Sequence, residues 1–392
     1  MNGGQARSPH GLVIGKFYPP HLGHHHLVSR AAEQTERLTV LVLASAVESI
    51  PLGDRVAWLT EVHRERRGEV NVSVIGGRCD VPVDLGSETV WTAHVAVMQS
   101  VVAAHTDVPV DAVFSSEVYG DELASRLGAA HVLVDPARTT VPVSGTAVRG
   151  DLASGWGLLH PVVRAGLATR VVVVGAESTG TTTVSRALAD HYRARGGIWS
   201  ETRWVPEHGR DYTVEKLQST QLAARANCDP LPRLEDLVWD AADFEQIAAT
   251  QNRLEDEAAA AGSPLVVCDT DAFATSVWEY RYAGADSHGA STAPVPGGWS
   301  PRLYLVTDHT GVPFVQDGWR DGEHIRTQMT AWFLERLTRA GHSWVLLTGS
   351  LSERLELAVC VTDEALSRGA RLADPLGARR TQLPATIGVR KP

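Results

Sequence analysis

Cysteine is scarce in this chain, whose 392 residues contain four cysteines and no Cys-x-x-Cys pair. The four lie far apart in the sequence, at Cys79, Cys228, Cys268 and Cys360. Such spacing argues against a zinc ribbon and against a disulfide framework. A reducing cytoplasm is the location that this cysteine usage favours.

Long apolar runs are also absent. The longest, such as residues 38–46 and 171–174, have the length of strands and fall short of the roughly 20 residues that a membrane-spanning helix requires. Residues 1–10 lack the apolar core of a signal peptide. We therefore expect no membrane partner.

Positive charge is limited as well. The formal net charge is −10, and lysine occurs only at Lys16, Lys216 and Lys391. This balance opposes a nucleic-acid-binding surface, which needs basic residues to displace counterions, so we expect no nucleic-acid partner. Small anionic substrates can still bind at local sites. Lys16 is a candidate for such a site because it lies inside a glycine-containing turn.

What the chain does contain is an alternation of strand-like and helical patterns. Alternation of this kind is typical of βαβ units and predicts an α/β fold with parallel sheets. The strand pattern restarts at residues 170–174, and the chain is long enough for two hydrophobic cores. We expect domains at 1–165 and 169–360, followed by a poorly ordered tail at 371–392.

The most informative motif is the stretch GKFYPPHLGH at residues 15–24, between an apolar run and a helical pattern. It predicts a strand, a turn and a helix start, where unpaired N–H groups and the helix dipole favour a phosphate. Gly15 and Gly23 let the backbone approach a ligand, and His21 and His24 share one helix face. These residues suit a polyphosphate that gains negative charge during a reaction.

A second motif, VSGTAVR at residues 143–149, opens another predicted helix. Ser144 and Thr146 offer hydroxyl groups, and the guanidinium of Arg149 can bind phosphate oxygens in a bidentate manner. Alone, this pattern is more often a helix cap with a surface arginine. In the same domain as the two histidines, it favours a phosphate site.

A third motif, GAESTGTT at residues 175–182, follows a strand and has the glycine spacing of a P-loop. Thr181 stands where a lysine is expected to neutralise the β- and γ-phosphates, so that charge must come from elsewhere or be lost. Thr182 can still bind Mg²⁺. The residues expected to bind ATP here are Gly175, Glu177, Ser178, Thr179, Gly180, Thr181 and Thr182.

Together, the first two motifs resemble the HxGH nucleotidyltransferases and in particular nicotinamide mononucleotide adenylyltransferases. The third motif narrows the resemblance to the NadR-type fusion of such an adenylyltransferase with a ribosylnicotinamide kinase. The resemblance covers roughly residues 11–349 and implies a Rossmann-like domain followed by a P-loop kinase domain. The first domain would join ATP to nicotinamide mononucleotide, giving NAD and pyrophosphate. The second would phosphorylate nicotinamide riboside with Mg²⁺ and ATP.

The resemblance also implies roles for residues of the first domain. His21 and His24 would contact the ATP phosphates, while Lys16 and Arg149 would bind the charge that develops on pyrophosphate. The further ATP contacts would be Gly15, Phe17, Ser144 and Thr146. The residues implied on the substrate side are Trp91, Glu117 and Tyr119. Trp91 would stack on the nicotinamide ring, although a tryptophan is more often part of a core.

In the second half, Asp269 and Asp271 follow a buried strand and match the acidic position of this kinase class. Asp269 is expected to bind Mg²⁺ together with Thr182, and either aspartate could accept the hydroxyl proton. Residues 316–326 resemble an arginine-bearing lid, in which Arg320 and Arg326 could close over the phosphates. The residues that resemble a riboside-facing segment are Glu207 and Arg210.

Three functional interpretations stay open at this point. The chain could act at both sites, or only as an adenylyltransferase because Thr181 silences the P-loop domain. It could also be a regulator, because some members of the family carry an N-terminal helix-turn-helix. Residues 1–10 are too short for such a module, which disfavours the regulator. A homo-oligomer is compatible with each of these interpretations.

Overall fold

A computed structural model describes residues 7–64, 70–84, 86–293, 301–369 and 371–376. The fold divides into two compact units, residues 1–150 with 372–392 and residues 151–371. In sequence, the second unit begins at Asp151, ahead of the expected boundary at 165–169. Of the expected tail, residues 377–392 lie outside the described part of the chain.

The first unit is built on one five-stranded sheet. Its strands are β1 (Ser8–Gly15), β2 (Thr35–Ala44), β3 (Asn71–Arg78), β4 (Ala112–Ser115) and β5 (Ala130–Leu133). All of them pair in parallel, in the order β3-β2-β1-β4-β5. Its helices are α1 (Leu22–Glu33), α2 (Leu52–Val62), α3 (Glu88–Ala103), α4 (Tyr119–Leu127) and α5 (Gly145–Gly150).

Helices cover both faces of this sheet. Val13 of β1 joins one apolar cluster with Val28 of α1 and Leu59 of α2. Leu12 and Ile14, its neighbours in the strand, join a second cluster formed with α3 and α4. Burial on both faces explains why the strands read as continuous apolar runs.

The strand order of the sheet reverses at β1, which pairs with β2 on one side and with β4 on the other. Ligands of open α/β sheets bind at such a point, outside the carboxyl ends of the strands. β1 ends at Gly15, and the turn from Lys16 to His21 leads directly into α1. The histidine motif therefore lies at the edge where this fold places ligands.

The second unit has its own five-stranded parallel sheet. Its strands are β6 (Thr169–Gly175), β7 (Arg203–Val205), β8 (Leu265–Asp269), β9 (Arg302–Thr307) and β10 (Trp344–Leu347). Their order is β10-β9-β6-β8-β7. The α-helices in its described part are α6 (Leu152–Gly155), α7 (Pro161–Leu167), α8 (Thr181–Arg193), α9 (His208–Asn227), α10 (Ala241–Ala261), α11 (Ala272–Ala283), α12 (Gly289–Thr292), α13 (Arg326–Arg339) and α14 (Leu351–Gly369).

The central strand β6 is buried along its whole length. Its carboxyl end leads into the P-loop, and the neighbouring strand β8 ends at Asp269, so both reach the same edge of the sheet. The segment after Asp151 also belongs to this unit. The indole of Trp156, which is fully buried, donates a hydrogen bond to the backbone oxygen of Gly262 at 2.8 Å.

The expected fold class is confirmed, because both units are α/β with parallel sheets. β7 was not expected, since a strand of three residues shows no periodicity. After α12, residues 294–300 lie outside the described part of the chain. No helix among the described residues is long and apolar enough to cross a membrane.

Candidate active sites

His21 and His24 meet at the start of α1. Nδ1 of His21 accepts a hydrogen bond from the N–H of His24, and Nδ1 of His24 accepts one from the N–H of His21, both at 3.3 Å. The two rings stack with their centroids 3.6 Å apart, and the ring of Phe17 packs edge-on against His24. The motif folds this way because each histidine caps the backbone of the other, as in a capping box.

Both histidines are held neutral. Burial lowers the pKa of His21 to about 4, and the positive charges of Arg138 and Arg149 act in the same direction. Burial also lowers the pKa of His24 well below its ordinary value, again helped by neighbouring charges. Because each Nδ1 accepts a backbone hydrogen bond, the proton of each neutral ring lies on Nε2. Both rings can therefore donate from Nε2 at neutral pH.

The second motif lies beside the histidines. A Cβ atom on Gly145, the first residue of α5, would lie 3.9 Å from Nε2 of His21 and 3.0 Å from Nη1 of Arg149. Arg149 is oriented by hydrogen bonds to the backbone oxygen of Tyr18 at 2.7 Å and to Oγ1 of Thr146 at 3.2 Å. The structure thus brings Arg149 to the turn that carries the histidines, although the two motifs are far apart in the sequence.

Three further residues expected to contact ATP shape the surrounding loops. Ser144 accepts a hydrogen bond from the N–H of Ala147 at 3.1 Å, so its hydroxyl caps the first turn of α5. Phe17 has a φ of 46°, which is uncommon for a bulky side chain. Gly15 is confined by that ring, because a Cβ atom at Gly15 would lie 3.1 Å from it.

Lys16 is held by partners that sequence analysis missed. Nζ of Lys16 donates to Oε1 of Glu48 at 2.7 Å, and Nη1 of Arg55 donates to Oε2 of the same carboxylate at 2.7 Å. Arg55 also donates to the backbone oxygens of Lys16 and Ile50. Burial would raise the pKa of Glu48, but the hydrogen bonds from Lys16 and Arg55 lower it below its ordinary value. Glu48 therefore anchors Lys16 as a cation beside the turn.

The expected substrate residues lie on α3 and after β4. Glu117 is exposed and pairs with Arg138, a cation that sequence analysis overlooked and whose charge acts on both histidines. Burial raises the pKa of Tyr119 to about 12, and the charge of Glu117 adds to this effect. Trp91 is only 8% exposed, and the guanidinium of Arg126 covers its ring at 5.4 Å. The structure thus links Glu117 to the histidine site but leaves Trp91 in the core.

The second unit contains a cavity of about 850 Å³ at the carboxyl edge of its sheet. The expected ATP residues that line it are Gly175, Glu177, Ser178, Thr181 and Thr182. Thr179 is buried behind them, where its hydroxyl donates to the backbone oxygen of Ala176 at 2.7 Å. Gly180 has a φ of 93°, a conformation that favours glycine, and the chain enters α8 directly after it.

Thr182 and Asp269 form an oxygen pair in this cavity, because Oγ1 of Thr182 donates to Oδ2 of Asp269 at 2.6 Å. A hydroxyl and a carboxylate beside a phosphate-binding loop suit Mg²⁺, which usually binds through one or two carboxylates together with substrate phosphates. In the described ranges, no group of three or more His, Cys, Asp or Glu side chains could hold a metal ion by itself. The residues present therefore fit a magnesium ion that arrives with a nucleotide.

Asp271 occupies a different environment from Asp269. It is 2% exposed and does not line the cavity. Its Oδ1 accepts a hydrogen bond from the N–H of Ala274 and caps α11, while its Oδ2 accepts from Tyr304 at 2.7 Å and Arg302 at 3.0 Å. Asp271 thus stabilises the fold. Asp269 is the one of the two aspartates that faces the cavity.

Glu207 and Arg210 both line the cavity, as a riboside-facing segment would. Burial and the charge of Asp269 raise the pKa of Glu207 to about 7. Arg210 donates to the carboxylate of Asp317 at 3.1 Å. Two acids, Glu207 and Asp269, therefore share one cavity, where their repulsion opposes ionisation of both at once.

The segment 316–326 contacts the P-loop directly. Its backbone N–H groups donate to Oε2 of Glu177 at 3.2 and 2.6 Å. Nη1 of Arg320 lies 3.5 Å from Oγ of Ser178, and Arg326 donates to the backbone oxygen of Ser178 at 3.1 Å. Both arginines of the expected lid thus reach the loop that would hold phosphate.

An aromatic wall completes the cavity, and sequence analysis missed it. The residues that form this wall are Trp239, Phe244, Trp278, Tyr282 and Trp319. The ring centroid of Trp239 lies 5.6 Å from that of Phe244 and 5.9 Å from that of Tyr282. Such faces suit a flat ring. The cavity therefore combines a phosphate-binding loop, a pair of acids and an aromatic surface.

Comparison with known proteins agrees with this geometry. Residues 12–151 match the cytidylyltransferase-like family, and residues 170–354 match an AAA domain. The nicotinamide-nucleotide adenylyltransferase of Aeropyrum pernix is 31% identical over 162 residues, which cover 39% of this chain and 87% of that protein. This chain belongs to the nicotinamide-nucleotide adenylyltransferase family.

This family member has the domain order of a NadR-type fusion. The trifunctional NAD biosynthesis/regulator protein NadR of Escherichia coli K12 is 25% identical over 323 residues, covering 79% of this chain and 71% of that protein. A crystal structure of a NadR protein in complex with NR has a TM-score of 0.60 at 18% identity and covers 92% of this chain and 97% of its own. A second, with NAD and AMP-PNP, has a TM-score of 0.57 at 18% identity and the same coverage. At that identity, the solved structures show a shared fold.

Proposed function

We propose that the first domain transfers the adenylyl group of ATP to nicotinamide mononucleotide, giving NAD and pyrophosphate. The observation that carries this proposal is the stacked pair of His21 and His24, which is neutral and can donate from both Nε2 atoms near Arg149. Membership of the adenylyltransferase family supports the same activity, since the Aeropyrum pernix relative is named for it.

The reaction needs no nucleophilic side chain. A phosphate oxygen of the mononucleotide attacks the α-phosphorus of ATP in line, and the bond from that phosphorus to the α,β-bridging oxygen breaks. The electron pair leaves with pyrophosphate, where negative charge accumulates. His21, His24, Lys16 and Arg149 would stabilise this charge from fixed positions, which needs little reorganisation during the step.

On the substrate side we propose Glu117 and Tyr119, which follow β4 at the ligand-binding edge. The ion pair of Glu117 with Arg138 links this loop electrostatically to the histidines. Trp91 would contact the nicotinamide ring only if its ring were uncovered, because Arg126 lies over it. Gly15, Phe17, Ser144 and Thr146 are the further residues that we propose on the ATP side.

For the second domain we propose phosphorylation of nicotinamide riboside by ATP, a reaction that makes the mononucleotide used by the first. The backbone of the P-loop would hold the phosphates, and the aromatic wall would hold a flat ring. The riboside hydroxyl attacks the γ-phosphorus, the bond to the β,γ-bridging oxygen breaks with its electron pair leaving on ADP, and the hydroxyl proton passes to the carboxylate of Asp269. A NadR protein crystallised with NR supports this substrate class.

We propose that Mg²⁺ accompanies ATP in both reactions. In the second domain, Thr182 and Asp269 would hold it, and its charge would offset that of the phosphates. Arg320 and Arg326 reach the P-loop from the segment 316–326 and are proposed to close over the same phosphates.

Thr181 favours a second candidate, in which the P-loop domain binds a nucleotide without transferring its phosphoryl group. The lysine normally found at this position contacts the phosphates whose charge changes in the reaction. Its absence leaves the side chain at this position unable to supply that charge. Under this candidate function, the first domain still makes NAD from the mononucleotide. The chain makes no NAD from the riboside.

A product assay on the purified protein separates the candidates. The protein receives Mg²⁺ and ATP with nicotinamide riboside in one reaction and with nicotinamide mononucleotide in another. NAD from both supports two active sites, and NAD from the mononucleotide alone supports the second candidate. If the mononucleotide gives no NAD, the function proposed for the first domain is wrong.

A further inference from the structure

We infer that Arg186 supplies the positive charge that Thr181 does not, and that it binds the phosphoryl group transferred in the second domain. This inference rests on the kinase function proposed for that domain. Arg186 belongs to none of the three motifs recognised in the sequence. Arg186 lines the cavity that several elements of the second unit form, and its role follows from that position.

Arg186 lies on α8, the helix that begins at the P-loop. It lies four residues after Thr182, so the two side chains share one face of the helix. Both line the cavity together with Asp269, to which the hydroxyl of Thr182 donates at 2.6 Å. The guanidinium therefore shares its space with the oxygen pair proposed to bind the metal.

The other arginines around the P-loop already have acceptors. Those that donate to backbone oxygens or pair with carboxylates of this unit are Arg210, Arg281, Arg320, Arg326 and Arg354. Arg186 differs from them. Among the residues that the structure describes, no carboxylate comes within 4.0 Å of its guanidinium. Its N–H donors are thus available to an incoming anion without the loss of an ion pair.

Arg186 is oriented without using those donors. Its guanidinium carbon lies 4.3 Å from the centroid of the Trp204 ring. The indole N–H of Trp204 donates to Oγ of Ser185 at 2.9 Å, which fixes the ring. Stacking on an aromatic face engages the flat side of a guanidinium and leaves its N–H groups at the rim. An oriented guanidinium of this kind can bind phosphate oxygens in a bidentate manner.

The chemistry of the step explains why such a charge matters. As the bond from the hydroxyl oxygen to the γ-phosphorus forms and the bond to the β,γ-bridging oxygen breaks, charge spreads over the three equatorial oxygens of the transferred group. A P-loop lysine would bind these oxygens from the start of α8. Arg186 would bind them from the next turn of the same helix, with a longer side chain.

The test compares single and double variants of the full chain in the kinase reaction with nicotinamide riboside. We expect Arg186→Gln to lower kcat by about 100-fold, the usual effect of removing one transition-state donor. Arg186→Lys should keep more activity than Arg186→Gln, because the charge is retained. The matched control is Arg339→Gln, which removes an exposed arginine of α13 and should change kcat less than about threefold.

Thr181→Lys provides the decisive measurement. If Arg186 replaces the lysine, Thr181→Lys should restore kcat at least about tenfold in the Arg186→Gln background and change it little in the wild type. Two results would overturn the inference. One is an Arg186→Gln variant within about threefold of wild type, and the other is a double variant as slow as Arg186→Gln itself. Adenylyl transfer from the mononucleotide should stay unchanged in all variants, and urea unfolding followed by circular dichroism reports that the second unit is folded.

Failure of the proposed kinase function has a separate signature. If the wild type makes no mononucleotide from the riboside, that function is wrong, and binding then decides the role of Arg186. AMP-PNP is titrated by calorimetry into the wild type and Arg186→Gln. If Arg186→Gln binds AMP-PNP about tenfold more weakly than the wild type at one site, the result supports a contact between Arg186 and phosphate. Equal affinities in the two proteins would overturn it.

Discussion

Nζ of Lys16 donates a 2.7 Å hydrogen bond to Oε1 of Glu48, a carboxylate whose side chain has no exposed surface. The other oxygen of Glu48 binds Arg55, so one buried anion serves two cations. The side chain of Lys16 remains 32% exposed and can still reach a ligand. This arrangement holds the single lysine of the first motif in place.

Replacement of that anion should destabilise the first unit. Glu48→Gln leaves Arg55 buried without a compensating charge, and breaking a buried pair in this way costs about 3 kcal/mol of unfolding free energy. Urea unfolding followed by circular dichroism and by residual adenylyl transfer measures the effect. The control is Glu33→Gln, whose pair with Arg30 is exposed and should contribute less than about 1 kcal/mol. Equal stability of the two variants would contradict the role of Glu48.

Removal of His24 should abolish most adenylyl transfer. His24→Ala deletes one Nε2 donor that we assign to the leaving pyrophosphate, and loss of one such donor lowers kcat by about 10²- to 10³-fold. The measurement is NAD formation from nicotinamide mononucleotide. His26→Ala is the matched control on the same helix, outside the stacked pair. Transfer at the wild-type rate in His24→Ala would refute the assignment of the first site.

The low pKa of His21 predicts a loss of stability in mild acid. The folded value is about 4 and the ordinary value is 6.5, so the unfolded chain binds a proton first as the pH falls. The stability that neutral His21 contributes is fully present above pH 6.5, its pKa in the unfolded chain. It is lost as the pH falls from 6.5 towards 4, its pKa in the folded chain. At pH 5 it lowers the unfolding free energy of the first unit by about 2 kcal/mol relative to pH 7.

Urea titrations at pH 7 and pH 5 test this effect. His21→Asn keeps a side chain that can cap α1 but has no group to protonate, so its first unit should lose about 2 kcal/mol less than the wild type between the two values. A wild-type difference that persists in full in His21→Asn would assign the pH dependence to other groups.

Asp269 and Asp271 should respond differently to the same substitution. Asp269→Asn removes the carboxylate that faces the cavity and should lower any kinase activity by about 100-fold with little change in stability. Asp271→Asn removes the partner of Arg302 and should cost the second unit about 3 kcal/mol of unfolding free energy. Kinase assays and urea unfolding of both variants give the comparison. A stable Asp271→Asn variant without kinase activity would show that Asp271 belongs to the kinase site.

The hydroxyl of Thr182 can be tested in the same assay. Thr182→Val keeps the shape of the side chain but removes the oxygen that binds Asp269 and would bind Mg²⁺, so kinase activity should fall by about 100-fold. Excess Mg²⁺ should recover part of it. Thr183→Val changes the next residue of α8, which is exposed, and should leave the activity near that of the wild type. Equal activity of the two variants would remove Thr182 from the proposed metal site.

The residues that sequence analysis missed have one property in common. Glu48, Arg55 and Arg138 are charged residues without periodic spacing, and such residues are usually solvated. Their importance comes from partners distant in the sequence, such as Lys16. The aromatic wall was missed for the same reason, because its members come from separate elements that meet only in the folded second unit.

By itself, the sequence determined the α/β class, the three glycine-containing motifs and the adenylyltransferase family. These depend on local spacing: apolar runs set the strands, and turns between a strand and a helix need particular residues at fixed offsets. Only the tertiary structure decided which side chains meet. Asp269 and Asp271 are two residues apart and look alike in sequence, yet the backbone directs Asp269 to Thr182 and Asp271 to Arg302. That choice depends on packing between distant elements, which local spacing does not encode.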